Sequence, residues 1–579
     1  DIFDNKGTVA INDSGSMVNY GTLNNSGILN NNATLETNGW VGNTGTVTVA
    51  GIGRITNYDI FDNKGTVAIN DSGSMVNYGT LNNNFYATLA VNDNGTLNNQ
   101  GTLDNDGALD IYNNGMLDNY GTLSNNITLD NYGTLINNIN AMLDNSGSLN
   151  NHGTLYNDGT LTNNHFLANR GTLNNDGTLD NHALLNNSDT LNNIGTLNNS
   201  LSVFNSDTGT LTNDGQLSNS STLDNYGTLI NNINAMLDNN NYGRLDNDGT
   251  LINYGILNNR DTLNNTGTLN NWELLDNSYV MNNSYNATLE NNGGVVNSGS
   301  LYNDGTLNNN DWLENNVDAT LNNTGTLENN GWVDNYGTLN NNGTLNNNYG
   351  MENFVGATLN NNGTQMNNFL VFNSGVINNS GTFIIDAETD VSGNGIYIQT
   401  DGQTTVNGYM GQASVTINDG ELNGSGYINS NVTVQGEGVF DLATIAPGNS
   451  IGTLTIYGDF TLGNKGLMAI EFNETSIDLL DIYGLATLGG TLEFTFTGTE
   501  MVAGTYEFLN FDNITSDFDT TIYPSTTSFN FDVAFNDNSA NLVVSSISPV
   551  PEPSTWLLFG AGIGMIGFSA TRRRKKLAA

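Results

Sequence analysis

The chain has 579 residues, of which 57 are acidic and 12 basic, giving a net charge of −45, and it contains no cysteine. This balance excludes nucleic acid as a partner, because phosphate recognition needs clustered Lys and Arg, and no basic cluster precedes Arg572. Without cysteine there are no disulfides, no thiolate zinc sites and no thiol catalysis.

The segment Asp1–Asn25 returns letter for letter at Asp59–Asn83, so a repeat is already running at the first residue. A start in mid-repeat with no leader predicts an N-terminally incomplete sequence, whose longer form opens with a charged and then apolar signal peptide. The unit is clearest at Gly95–Gly107, GTLNNQ-GTLDND-G, where Gly, Thr, Leu, Asn or Asp, Asn and a variable residue follow one another. Gly153, Gly171, Gly195, Gly249 and Gly337 open further copies, and an apolar side chain recurs every sixth residue over most of positions 1–385. A period this short implies a solenoid rather than helix pairs or propeller blades.

In a strand, Thr96 and Asn98 point one way and Leu97 the other. The Asn, the variable residue and Gly that follow suit a corner, since Asn and Gly accept the left-handed conformation. Burying one Leu yields roughly 1.5–3 kcal/mol, less than the cost of ordering six residues at about 1–2 kcal/mol each. A single unit is therefore unstable, and stacking supplies the difference. Coils of about 18 residues, about 4.8 Å apart, let strands pair and let Asn99, Asn105, Asn119, Asn125 and Asn131 form amide ladders. Octads such as Gly107–Asn114 and Gly133–Asn140 read as bulged corners. Disorder is the competing reading of an Asn- and Gly-rich tract with 37% apolar content, but disorder does not need leucine in register.

A second exact copy links Thr128–Asn145 with Thr222–Asn239, so repeat number is free to vary, as a spacer or surface fibre permits. His152, His165 and His182 lie within the repeat and read as surface substitutions, with no metal site and no cofactor expected. Near Thr382 the phrase dissolves. The reading is then an all-β chain: a long parallel β-solenoid over 1–385, an irregular β-helix over 386–545 whose residues 494–545 cap its open edge, and a sorting signal with a transmembrane helix over 546–579.

The phrases APGNSIGTLTIYGDFTLG from Ala446 and DLLDIYGLATLGGTLEF from Asp478 resemble the last coils of autotransporter passenger domains, which are right-handed β-helices. The resemblance covers about residues 440–495 and rests on the Pro447–Gly448–Asn449–Ser450 turn and the alternating strands after it. No membrane barrel follows, so self-secretion is not implied.

Pro551, Glu552 and Pro553 precede an apolar run that includes Trp556, Leu557, Leu558, Phe559, Ile563, Met565, Ile566 and Phe568. Arg572, Arg573, Arg574, Lys575 and Lys576 follow. The run suits a short membrane span, with the basic cluster as its cytoplasmic anchor. This tail resembles the PEP-CTERM sorting signal of Gram-negative bacteria, which has also been labelled an ice-binding protein C-terminal domain. The resemblance implies Sec export, transient anchoring in the inner membrane, recognition by an exosortase, and delivery to the cell surface or extracellular matrix, often beside exopolysaccharide. A plain C-terminal anchor is the alternative.

No catalytic motif is present, and Asp and Asn exchange freely at the fourth position, so no enzyme is expected. The leading expectation is a structural or adhesive surface protein. An ice-binding solenoid displaying Thr96, Thr102 and their equivalents, and a polysaccharide-active β-helix, are the alternatives. Tyr20, Tyr120, Tyr132, Trp40 and Trp332 fall at or near corners and offer sugar-stacking surfaces or simple cover for the leucines. The acidic rows predict a modest stabilisation by divalent cations, without a defined calcium cage.

Overall fold

A computed structural model of the protein describes residues 1–436 and 442–547. The sorting motif, the apolar run and the basic cluster of the tail lie outside the described residues. Among the described residues every regular element is a β-strand, and no helix is long and apolar enough to cross a membrane. The chain divides into two compact units, Asp1–Val415 and Thr416–Ala579.

The first unit is a parallel solenoid with three four-residue strands per coil. Each strand pairs in register with the third strand after it: Thr96–Asn99 with Met116–Asn119, and that strand with Thr134–Asn137. Offsets of 18, 20 and 22 residues occur, according to how many octads a coil contains. The octads are regular turns. Gly115 N–H donates to the Tyr112 carbonyl at 2.8 Å and Ala141 N–H to the Asn138 carbonyl at 2.9 Å. Asn113 and Asn140 sit between them at φ of 50° and 66°.

The hexad corners differ from expectation in one respect. Asn99 is not at the corner but is the fourth residue of its strand and faces inward beside Leu97. The corner is Gln100–Gly101, and it has no left-handed residue. Glycine is favoured there by close approach: a Cβ on Gly101 would lie 2.1 Å from the Gly79 carbonyl oxygen one coil earlier.

Most strands thus contribute one apolar side chain, commonly leucine, and one asparagine to the interior. The asparagines form three buried amide ladders. In one, Asn205 Nδ2 donates to Asn225 Oδ1 at 2.7 Å, and Asn225 Nδ2 to Asn247 Oδ1 at 2.7 Å. The second proton of Asn225 reaches the carbonyls of Thr250 at 3.0 Å and Gly227 at 3.3 Å. An amide so enclosed costs about 1–3 kcal/mol for every partner it lacks, and here the neighbouring coils supply them all. Two of the ladders end in other polar side chains, where Asn373 donates to Gln412 Oε1 at 2.7 Å and Asn379 to Thr404 Oγ1 at 3.4 Å, and in the third Asn367 donates to the Ile384 carbonyl at 3.0 Å. Gln365 replaces leucine in the interior and donates to Asn367 at 2.9 Å.

The second unit starts as irregular β-helix, with Ala443–Pro447 paired in parallel to Gly466–Phe472 and that strand to Thr491–Phe496. Its interior is apolar, with Met468, Ile470, Phe472, Phe494 and Phe508 all at or below 2% exposure. Gly504–Ile514 then pairs antiparallel with Ser539–Ser546, which also pairs with Phe529–Phe535. Gly504–Ile514 also pairs in parallel with Leu479–Thr487.

Candidate functional site

The outward residues of each strand, its first and third, form the surfaces available for recognition. On one face the first-position row runs Gly294, Trp312, Trp332, Gly350, and the third-position row runs Val296, Glu314, Asp334, Glu352. Two indoles converge on one carboxylate: Trp312 Nε1 donates to Asp334 Oδ2 at 2.9 Å and Trp332 Nε1 to Asp334 Oδ1 at 2.6 Å. Gly350 makes room for Trp332, since a Cβ there would lie 2.2 Å from the indole ring. Burial and then the Asp334 charge raise the carboxyls of Glu314 and Glu352 above the ordinary range. A half-exposed pair of indoles flanked by carboxylates that accept hydrogen bonds is chemistry suited to a sugar ring. Trp332 was legible as an aromatic candidate. Trp312, Glu314, Asp334 and Glu352 were not, because only the register of coils brings them together.

Several surface aromatics use their faces on one another, whereas Tyr20 and Tyr120 stand exposed. Tyr112, Tyr132 and His152 stack with centroids 5.6 and 4.6 Å apart, and Tyr336 stacks on Phe354 at 3.9 Å. Rings this close leave no room for a sugar between them. Acidic residues of the outer rows are commonly matched to amides, as where Asn150 Nδ2 donates to Asp130 at 2.7 Å and Asn198 Nδ2 to Asp180 at 2.8 Å. Arg244 bridges Asp224 at 3.4 Å and Asp246 at 3.1 Å. Among the described residues no three His, Asp or Glu side chains come together as a metal site.

The Pro447–Ser450 turn of the second unit closes over a cleft of about 270 Å³ lined by Glu421, Asn423, Glu471 and Asp478. Gly448, at φ 91°, exchanges two backbone hydrogen bonds with Gly424. The buried Asp478 anchors the turn: it accepts from Gly452 N–H at 2.9 Å and Glu471 N–H at 2.7 Å. Its burial outweighs these bonds and pushes its carboxyl up to about 6. The sequence resemblance quoted both the turn and the phrase that opens at Asp478, but not the contact between them, which only the register of the coils makes.

These features define a class, the all-β parallel solenoids. Residues 549–575 match a family described as the PEP-CTERM protein-sorting motif, a span that takes in Pro551, Glu552 and Pro553. The motif marks an exported protein that an exosortase sorts to the cell surface through a membrane-anchored intermediate. Residues 443–496 are β-helical, as their likeness to autotransporter passengers implies. No curated protein matches the chain.

Proposed function

We propose that the protein is a structural and adhesive element of the cell surface or extracellular matrix, exported through the Sec machinery, whose ligand is a surface glycan or exopolysaccharide. The patch around Trp312 and Trp332 carries this reading, because it joins two part-buried indoles to a row of carboxylate acceptors on a stiff support. We take the protein to be non-enzymatic: both oxygens of Asp478 hold backbone amides, and many outer carboxylates are tied to asparagines. Binding to a glycan array and to purified exopolysaccharide tests the reading. Loss of binding on Trp312→Ala with Trp332→Ala supports it, and undiminished binding refutes the site. A second reading, ice binding, is favoured by a threonine row on another face, and thermal hysteresis of the purified protein tests it.

A further inference from the structure

The three faces of the first unit are built from one consensus but are not equivalent. On the face of Thr134–Asn137, every coil from Thr134 to Thr382 pairs threonine with threonine at the first position. Over the same coils the other faces place Met142, Ile256 and Trp312, or Phe166, Arg244 and Val280, at that position. The adjacent third-position row of the threonine face contains no Asp, and its carboxylates are Glu290 and Glu328. Both are tied to the surface: Asn308 and Asn310 donate to Glu290 at 2.7 and 2.6 Å, and Asn346 to Glu328 at 2.6 Å. The rest of the row includes Ile136, Ile230, Ile252, Met366 and Ile384. The face is therefore regular, low in charge and part apolar, on a chain of net charge −45.

We infer that the threonine face is a self-association surface on which a second copy of this chain docks. A periodic array stays in step over its whole length only with a partner of equal repeat, and another copy has that repeat by construction. β-Branched threonine is stiff at χ1, so ordering it on contact costs little. Strands about 13 Å wide, over about 13 coil steps of about 4.8 Å, present roughly 800 Å² per partner, the area of a standard stable interface. The face of Asp144, Asp180, Asp238 and Asp276 is far more acidic, and like charges repel if two copies meet there. The pairing is two-fold, each copy giving the same patch.

Sedimentation velocity on the full chain tests this. The wild type sediments as a dimer, Thr228→Glu with Thr268→Glu weakens dimerisation about 100-fold, and the matched pair Thr320→Glu with Thr338→Glu on another face leaves it within about threefold. Because the chain has no cysteine, Thr250→Cys gives a disulfide-linked dimer under mild oxidation, and Thr338→Cys does not. The cysteine arm decides the matter if the glutamate variants fail to fold. A monomeric wild type, equal loss in both glutamate pairs, association insensitive to either, or thermal hysteresis from a monomer overturns the inference.

Discussion

The two units reach an all-β fold by opposite means. In Asp1–Val415 most strands bury one apolar side chain, commonly leucine, and one asparagine, and polar order inside comes from amides that pass a hydrogen bond from coil to coil. In the second unit the interior is packed as in an ordinary globular core, with Phe494 edge-on to Phe508 at 5.1 Å and Phe472 to Phe496 at 5.2 Å. The ladder accepts any number of coils, because each needs only a like neighbour. The aromatic core admits one arrangement. This explains why exact internal copies occur in the first and not in the second.

The sharpest way to break the comparison is to interrupt each interior. Asn225→Leu removes a link that joins Asn205 and Asn247, stranding buried amide groups on both sides. A loss of about 4 kcal/mol is expected, confined to neighbouring coils and visible as local opening in hydrogen exchange. Phe494→Ala costs a comparable ~3–5 kcal/mol, but it lowers protection across the second unit, including Gly466–Phe472 and Thr491–Phe496. If both variants acted locally, or both globally, the contrast would be wrong.

Acidity separates the units next. Burial raises Asp478 from 3.8 to about 6, so the folded state holds a proton more tightly than the unfolded one. Its contribution to stability is present below pH 3.8 and is lost as pH rises through about 6. The rise corresponds to at most ~3 kcal/mol. Urea unfolding of the second unit at pH 4 and pH 7 measures it, and Asp478→Asn removes that part of the slope. Glu474 acts in the opposite sense, since amide hydrogen bonds from Glu500 and Thr499 hold it down at about 2.

Smaller effects follow from modularity. Deleting Gly195–Asp214, one coil of three strands, removes the ladder partners of Asn181, Asn187 and Asn193 and brings Asn219, Asn225 and Asn231 into their place, so each face stays aligned. The thermal midpoint of the first unit then shifts by only a few degrees. Least of all, Asn192→Ala on the outer row, where Asn192 donates to Asn174 at 2.8 Å, changes stability by about 0.5 kcal/mol or less.

Much of the solenoid was legible because its signal is local: Leu97 and its equivalents mark the inward face, and the octads announce turns. The position of Asn99 was only half legible. Its capacity to form ladders followed from the repeat, yet a polar turn-former beside glycine reads as a corner, and only a second asparagine 18–22 residues away makes burial affordable. The indole pair over Asp334 and the threonine row were illegible for a related reason. Octads fall irregularly, so which hexad lands on which face is known only once the coils are in register. The tail was legible as motif because its three signals are contiguous.

Amide hydrogen exchange of the exported protein, followed along the strands from Thr22–Asn25 to Val376–Asn379, tests the central claim most directly. Stacked coils with continuous amide ladders predict slow exchange throughout the first unit, fading only at its terminal coils and turns. Exchange at free-chain rates across Thr96–Asn347 would contradict the account.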